Sequence, residues 1–457
     1  MQTLKRNRFL TDLVKRTGLA FFMLTHVSLW AQVPDSTQID QTKMQWFKDA
    51  KLGIFIHWGL YAVDGIDESW SFYNGYISHR DYLKQANGFT AKNYDPEAWA
   101  ELIRKSGAKY SVITAKHHDG FALWDTKYGN LNAVKNSAAH KDVLTPFVKS
   151  LRKSDLRVGI YFSLPDWSYP DYTNFTRDSV RYKISEEPKR WQKFLNYYQG
   201  QLKELSDNYN PDLYWFDGDW EHSSEEWQAA KVRSMLLARN PNTILNSRLN
   251  AHGDYATPEQ GMPITRPKDK YWELCMTMND SWGYQKNDHN YKTLDQIIGI
   301  FTDVIGNGGN LLLDIGPKGD GTIPERQVEI LKGLGEWTSK HKEAIYGTVA
   351  GIPKEHFYGA STLSKDRSIL YLFVKGNPNG EVVLRGLKNR INRIWVVGEG
   401  TKLTHQVVGS VYWSQYPGVK YIKVPDYVLD KHMTVLAVLL DGKVDLYREI
   451  GSVIESN

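Results

Sequence analysis

The chain has 457 residues, more than one ordinary hydrophobic core accommodates, so a barrel-sized domain and a smaller second domain are expected. Residues 1–31 carry five basic side chains and one acidic side chain, a net charge of +4. The net charge of the whole chain is +5, so residues 32–457 carry about +1. A charge this small excludes nucleic acid as a partner. Cys275 is the only cysteine, which excludes an internal disulfide and a thiolate zinc cluster.

The N-terminal residues 1–31 have the pattern of a secretory signal. Basic residues as far as Arg16 are followed by an apolar run over residues 18–30, and Ser28 and Ala31 supply the small residues that a signal peptidase needs. The run is shorter than the roughly 20 residues that a membrane span requires. We therefore expect an exported protein, periplasmic or secreted, with no membrane association after cleavage.

Residues 41–348 alternate short apolar runs with amphipathic helices. The runs are nearly continuous, as in parallel strands that are buried on both faces, and an alternation of this length predicts a (β/α)8-like barrel. Seven strands are predicted, and the eighth is expected between residues 255 and 290. The predicted strands cover residues 52–57, 110–115, 158–163, 213–217, 243–248, 271–276 and 310–315. The predicted helices cover residues 95–106, 140–154, 188–209, 223–239, 293–305 and 324–346.

Residues 349–457 have a different texture, with short strand-like runs punctuated by Gly, Asn and Asp at intervals of roughly ten residues. This spacing predicts a C-terminal antiparallel β-sandwich. The predicted strands cover residues 370–375, 381–384, 391–397, 421–424 and 434–440.

Histidines and aromatic residues stand where the first two barrel strands end, the edge at which such barrels hold catalytic groups. His57 ends the first predicted strand and Trp58 follows it, while His117 and His118 follow the second. Because adjacent residues of a strand point to opposite faces, the paired histidines are not expected to share one metal ion. Donation to sugar hydroxyls is favoured instead, so we expect no metal and no organic cofactor.

Asp217 ends a wholly apolar strand and is followed by Gly218, which permits a sharp turn. The carboxylate is expected at the top of the barrel between Trp215 and Trp220, in the position of a catalytic nucleophile. A helix cap or a structural ion pair is the alternative explanation for a carboxylate in this place.

Two further carboxylates could serve as the acid/base partner of Asp217. Retaining glycosidases require a second acid about 5–5.5 Å from the nucleophile. Glu259 lies on a loop that can approach a sugar, whereas Glu273 begins a strand and could instead bind or support another group. On the residues alone, both carboxylates stay candidates.

Seven segments, in order from about residue 46 to residue 347, resemble the α-L-fucosidase family of retaining glycoside hydrolases. They are GIFIHWG, KHHDGF with LWDTKY, RVGIYFS, DLYWFDGDW, ILNSR, YWELCMTMNDSWGY and GNLLLDIGPKGDGTIP. The resemblance implies a (β/α)8-like barrel followed by a β-sandwich, which agrees with the pattern of strands. It also implies that Asp217 is the nucleophile and that Glu259 is the preferred acid/base, with Glu273 as the alternative.

Carried over motif by motif, the resemblance implies a set of sugar-binding residues: His57, Trp58, Trp70, His117, His118, Tyr161, Trp215, Arg248 and Trp282. Within this set, the apolar face of Trp282 suits the C6 methyl group of fucose. The family often has Glu-Trp-Tyr after the first strand. Here the order is Glu68, Ser69, Trp70, which leaves the glutamate contact open.

The resemblance therefore implies an exo-acting, retaining α-L-fucosidase that acts on fucosylated oligosaccharides or glycoconjugates. Two alternatives stay open at this stage: a related exo-glycosidase such as an α-L-galactosidase, and a non-catalytic fucose-binding protein on the same fold. The first would bring a polar group near Trp282, because its substrate adds a C6 hydroxyl. The second would lack one of the two carboxylates.

Overall fold

The central feature of the computed structural model is a sheet of parallel strands that alternate with helices, as the apolar runs predict. The structure describes residues 42–265 and 267–449, so the predicted signal segment lies outside the described residues. Seven strands form the sheet in the order β7-β6-β3-β2-β1-β9-β8, and each overlaps a predicted one. The first nine strands, in chain order, are β1 (Leu52–Ile56), β2 (Tyr110–Lys116), β3 (Arg157–Ser163), the hairpin β4 (Asn174–Thr176) and β5 (Ser179–Val180), β6 (Leu213–Asp217), β7 (Ile244–Leu245), β8 (Glu273–Thr277) and β9 (Asn310–Ile315).

Among residues 42–265 and 267–449, no regular eighth strand closes the barrel. Between β7 and β8 the backbone of residues 255–259 runs alongside both neighbours and makes isolated parallel bridges. Tyr255 pairs with Asn246 of the chain after β7, and Glu259 pairs with Cys275 of β8. The eighth position is therefore an irregular segment within the expected window, and this segment carries Glu259.

Helix starts in the barrel follow recognisable capping sequences. Asp95 accepts the N–H groups of Glu97 and Ala98 at 3.0 and 2.9 Å, and Thr293 forms a capping box with Gln296. The helix predicted over residues 223–239 is two helices, because Gln228 adopts a left-handed conformation with φ 54° between them. In chain order the helices are α1 (Gln45–Ala50), α2 (Trp70–Tyr73), α3 (His79–Leu83), α4 (Pro96–Lys105), α5 (Ala133–Asn136), α6 (Leu144–Lys153), α7 (Pro188–Tyr209), α8 (Ser224–Trp227), α9 (Ala229–Arg239), α10 (Leu294–Gly306), α11 (Glu325–Lys340) and α12 (Lys342–Ile345).

The chain after residue 348 forms two antiparallel sheets, as the β-sandwich prediction requires. The strands are β10 (Val349–Ala350), β11 (Ser361–Leu363), β12 (Ile369–Lys375), β13 (Glu381–Arg385), β14 (Ile391–Val396), β15 (Lys402–Leu403), β16 (His405–Val408), β17 (Val419–Lys423) and β18 (Met433–Leu440). The six-stranded sheet has the order β10-β11-β12-β18-β14-β15 and the three-stranded sheet the order β13-β17-β16.

Alternate residues of the six-stranded sheet pack into two different hydrophobic cores. Leu372 and Leu436 point into the core between the two C-terminal sheets, whereas Phe373 and Val435 join the core of the barrel. The boundary at residues 348 and 349 stays a prediction, because the described residues belong to one compact unit. None of the helices within the described ranges combines the length and hydropathy that a membrane span requires.

Candidate active site

A cavity of about 170 Å³ opens at the C-terminal ends of the parallel strands. Nine of the predicted site residues line it: His57, Trp70, His117, Tyr161, Trp215, Asp217, Arg248, Glu259 and Trp282. Phe55, Glu68 and Trp220 complete the lining. The structure thus brings together side chains that lie within or after six different strands, because parallel strands deliver their carboxyl ends to one edge.

Asp217 is the last residue of β6, and its carboxylate is held by two donors. The Tyr161 hydroxyl donates to Oδ2 at 3.0 Å, and Nη1 of Arg248 donates to Oδ1 at 2.9 Å. Burial, followed by the charge of Asp217, raises the pKa of Tyr161 well above its usual range, so the phenol keeps its proton and remains a donor. The two donors therefore hold the carboxylate of Asp217 in one orientation, as a nucleophile requires.

Arg248 connects the two candidate catalytic carboxylates. Its Nη2 donates to Oε2 of Glu259 at 2.5 Å while Nη1 binds Asp217. The guanidinium is fixed by the Thr257 hydroxyl at 3.1 Å and lies 4.5 Å from the ring centre of Trp215. One guanidinium therefore places Asp217 and Glu259 on the same cavity, with Glu259 nearer to solvent, because its side chain is 38% exposed against 13% for Asp217.

The three predicted histidines are buried, and burial is the main cause that lowers the pKa of each. Nδ1 of His57 is hydrogen-bonded to Oδ1 of Asp314 at 2.7 Å, and Nδ1 of His117 is hydrogen-bonded to the Ser69 hydroxyl at 2.5 Å. In both rings Nδ1 makes this contact, which leaves Nε2 for a bound ligand. Neutral imidazoles suit hydrogen bonds to hydroxyl groups.

His118 occupies a different position from the other two histidines. Its Nδ1 lies 2.6 Å from the Ser163 hydroxyl, and its Nε2 lies 3.6 Å from Oδ2 of Asp217. Burial, followed by the charge of Lys116, lowers its pKa to about 3. His118 thus lies behind the nucleophile as a neutral group, and it is absent from the cavity lining given above.

Glu68 lines the cavity, although the departure from the family triplet left its contact open. Its Oε1 accepts the backbone N–H of Gly283 at 2.6 Å. Burial raises the pKa of Glu68 to about 7, so the carboxyl can hold a proton near neutral pH. The side chain can therefore donate to or accept from a ligand hydroxyl.

Glu273, the alternative acid/base, does not line the cavity. It lies in the barrel interior below Trp215, whose Nε1–H donates to Oε1 at 3.1 Å, and the Tyr110 hydroxyl donates to Oε2. Burial raises the pKa of Glu273 to about 7. A carboxyl in this place supports the indole of Trp215, and the geometry favours Glu259 as the acid/base.

The prediction that Trp58 contacts the ligand requires correction. Trp58 is 1% exposed and packs against Phe89, Tyr94 and Trp99, while its Nε1–H donates to the carbonyl of Lys318 at 2.9 Å. Consecutive residues of an extended chain point to opposite sides, so His57 faces the cavity and Trp58 faces the helical layer.

Several supporting residues were not predicted from the sequence. Phe55 lines the cavity from within β1, and Asp314 orients His57 from within β9. Asp314 could have been found, since it stands near the end of an apolar strand, as Asp217 does. Within the described residues, no three His, Cys, Asp or Glu side chains are grouped so that they could hold a metal ion.

Comparison with known proteins gives one family. The family model described as Alpha-L-fucosidase matches residues 23–343. An α-L-fucosidase of Branchiostoma floridae is 32% identical over an alignment of 350 residues, and the match covers 69% of this chain and 75% of that protein. α-L-Fucosidase isoenzyme 1 from Paenibacillus thiaminolyticus has a TM-score of 0.79 at 31% identity, covering 88% of this chain and 99% of that one.

A further solved relative is a glycoside hydrolase family 29 α-L-fucosidase from Bacteroides thetaiotaomicron. It was trapped as a covalent intermediate in complex with 2-fluoro-fucosyl fluoride, in a Glu-to-Gln mutant. Its TM-score is 0.77 at 27% identity, and the match covers 88% of this chain and 96% of that one.

Proposed function

Because this chain belongs to the α-L-fucosidase family of glycoside hydrolases, we propose that it releases terminal α-L-fucose with retention, through a covalent fucosyl-Asp217 intermediate. The observation that carries the proposal is the arrangement of Asp217 and Glu259 around one guanidinium at the wall of a small cavity. Fucosylated oligosaccharides and glycoconjugates are the substrates that the family implies.

In the first step, a carboxylate oxygen of Asp217 attacks the anomeric carbon as the glycosidic bond breaks. Glu259 gives its proton to the departing oxygen, so the aglycone leaves as an alcohol and a β-fucosyl ester remains. Tyr161 and Arg248 hold the nucleophile in a fixed orientation. The entropic cost of ordering the carboxylate is therefore not added to the activation barrier.

In the second step, Glu259 acts as a base towards a water molecule. The water oxygen bonds to the anomeric carbon, its proton passes to Glu259, and the ester bond to Asp217 breaks. Two inversions give fucose with its original α configuration. The exposed side of the cavity at Glu259 and Trp220 suits both the departing aglycone and the entering water.

The buried side of the cavity suits a single deoxy sugar. His57, His117 and Glu68 present polar atoms to ring hydroxyls, and the rings of Phe55 and Trp282, 6.0 Å apart, offer apolar faces for a methyl group. A closed floor of this kind favours a terminal residue over an internal one. The proposal is therefore of an exo-acting enzyme.

The test is hydrolysis of aryl α-L-fucoside beside aryl α-L-galactoside by wild type and by Asp217→Asn, Glu259→Ala and Asp219→Asn. Asp219 is the matched control, because it lies two residues from Asp217, its carboxylate accepts the backbone N–H of Asn250 at 2.7 Å, and it is not part of the cavity lining. We expect Asp217→Asn to lose on the order of 10³-fold or more in kcat. Azide should partly restore Glu259→Ala, and Asp219→Asn should remain active.

Peptide mapping after reaction with 2-fluoro-fucosyl fluoride completes the test. The label is expected on the peptide that contains Asp217, and the first product seen by NMR should be the α anomer. Normal turnover by Asp217→Asn, a label on another carboxylate or a β product would each refute the mechanism. Preferred cleavage of the galactoside would refute the substrate.

A further inference from the structure

A second and larger cavity, of about 920 Å³, lies at the opposite end of the barrel. Lys51 directly precedes β1, Trp272 precedes β8 and Gly308 precedes β9, so this cavity opens at the N-terminal ends of the parallel strands. Catalytic groups of such barrels lie at the other end. We call it the basal cavity, and it has no lining residue in common with the candidate active site.

The far wall of the basal cavity comes from the C-terminal sheets. Ile352, Leu363 and Leu446 supply apolar surface there, and Arg367 and Arg448 stand beside them. The cavity therefore lies between the base of the barrel and the C-terminal layer. Concave sites of several hundred cubic ångströms at such junctions are common ligand-binding places.

Cations dominate the lining. Six basic side chains face a single carboxylate, that of Asp269; the six are Lys48, Lys51, Lys268, Lys270, Arg367 and Arg448. None of them forms an ion pair with a carboxylate of the described residues. Since the whole chain holds 57 basic and 52 acidic residues, this is a local concentration of unpaired positive charge.

Lys51 sets this cavity apart from a set of surface lysines. The residue is 1% exposed, yet it lines the cavity, and its ammonium group has no hydrogen-bond partner among the described residues. Burial, opposed by the charge of Asp49, lowers the pKa of Lys51 to about 8. Its Nζ keeps contact with solvent on the cavity side, so an anion bound there would pair with a charge that is largely withdrawn from water.

We propose that the basal cavity binds a sulfated oligosaccharide. Lys51 at the floor and the cations of the rim offer separate contacts to several sulfate groups, and Arg367 and Arg448 can each contact one through two N–H groups. The apolar wall suits the C–H faces of the sugar rings. The site goes beyond the proposed reaction, since it holds an anionic glycan away from the catalytic carboxylates.

The test uses the full chain and calorimetric titration with a heparin hexasaccharide and with its desulfated counterpart. Lys51→Met removes the buried cation, and Lys268→Ser/Lys270→Ser/Arg448→Ser removes three from the rim. The matched control, Lys149→Ser/Lys189→Ser/Lys193→Ser, removes the same charge from exposed positions of α6 and α7. Turnover of aryl fucoside checks that each variant is folded.

We expect the sulfated hexasaccharide, and not the desulfated one, to bind wild type. Lys51→Met and the rim triple variant should each weaken binding about tenfold or more, while the control stays within about twofold. Excess L-fucose should not compete. Absence of binding by wild type, equal losses in the rim and control variants, or displacement by L-fucose would overturn the proposal; should Lys51→Met not fold, the rim variant decides.

Discussion

Glu259 and Glu273 illustrate how position divides the roles of two similar side chains. Glu259 lies on the irregular segment at the mouth of the cavity and pairs with Arg248 at 2.5 Å. Glu273 lies inside the barrel and accepts hydrogen bonds from Trp215 and Tyr110. The first can reach a departing glycosidic oxygen, whereas the second can act only through the indole that it holds.

Glu273→Gln should therefore spare catalysis and change the pH dependence of stability. The pKa of Glu273 is raised from 4.5 to about 7 by burial, so between these values the folded protein binds a proton that the unfolded chain has released. Stability from this group is full below about pH 4.5, falls as pH rises, and is lost above about pH 7. The variant should match wild type at pH 5 and exceed its Tm at pH 7.5.

Thermal unfolding at the two pH values measures this effect, and aryl fucoside turnover is recorded alongside. Glu68 has a pKa of about 7 as well, but it is unchanged in both proteins, so their difference reports Glu273 alone. A Tm difference that is the same at pH 5 and pH 7.5 would contradict the buried, protonated carboxyl. Loss of turnover as deep as that of Glu259→Ala would instead make Glu273 the acid/base.

Individual residues were predicted from the sequence where a pattern marks them. Asp217 ends an apolar strand, and His117 belongs to the KHHDGF motif. Trp58 belongs to a motif too, but its indole packs in the core, since a motif does not show which side of the chain a residue faces. The sequence leaves the sugar contact of Glu68 open, because its neighbours differ from the family triplet. Only the fold brings its carboxyl to the backbone N–H of Gly283.

At the level of elements, the turn that ends β6 decides where the nucleophile points. Gly218 has φ 85°, and a Cβ atom there would lie 2.2 Å from Cδ of Pro165. The carbonyl of Asp217 also accepts the N–H of Leu164 at 2.9 Å. The end of β6 is thus pressed against the chain that follows β3, with no space for a side chain at the turn.

Gly218→Ala should destabilise the protein and reduce kcat, because the left-handed conformation and the contact with Pro165 both penalise a methyl group. Gly75→Ala is the matched control, with φ 78° and no atom within 4 Å of the added carbon. The conformation alone costs about 1–2 kcal/mol. Denaturant unfolding should show this loss in Gly75→Ala and a larger one in Gly218→Ala.

Aryl fucoside kinetics then separate the two glycine variants. Gly75→Ala should retain the kcat of wild type, whereas Gly218→Ala should lower kcat as Asp217 shifts. Equal stability losses and unchanged kcat in both variants would show that the turn has room to adjust, and that it does not position the nucleophile.

Regular elements were predicted better than irregular ones. All seven strands of the parallel sheet were predicted, since burial on both faces makes them continuous apolar runs. For the segment at residues 255–259, the sequence predicts only that the eighth strand lies between residues 255 and 290, because isolated bridges leave no periodic pattern. The sequence does not predict the break at Gln228, because neither Gly nor Pro marks this left-handed position.

At the scale of the whole molecule, the C-terminal layer continues the core of the barrel. The Nε1–H of Trp337 in α11 donates to the carbonyl of Met433 at 3.1 Å. Phe373 is buried 6.3 Å from the same indole, measured between ring centres. Apolar surface that is shared in this way couples the stability of the catalytic layer to that of the C-terminal sheets.

We therefore expect both layers to unfold in one transition, and Phe373→Ala should lower the midpoint of that whole transition. Deleting a buried phenyl group costs about 3–5 kcal/mol. Loss of aryl fucoside turnover, far-UV circular dichroism and tryptophan fluorescence should coincide along a denaturant series and shift together in the variant. Tyr427→Ala, at a side chain that is 79% exposed, is the control and should leave the midpoint unchanged. The contrary result would be two transitions, of which only the first responds to Phe373→Ala and after which turnover persists. The C-terminal layer would then unfold independently of the barrel, and the change in sequence pattern near residue 348 would also mark the limit of a separately folding unit.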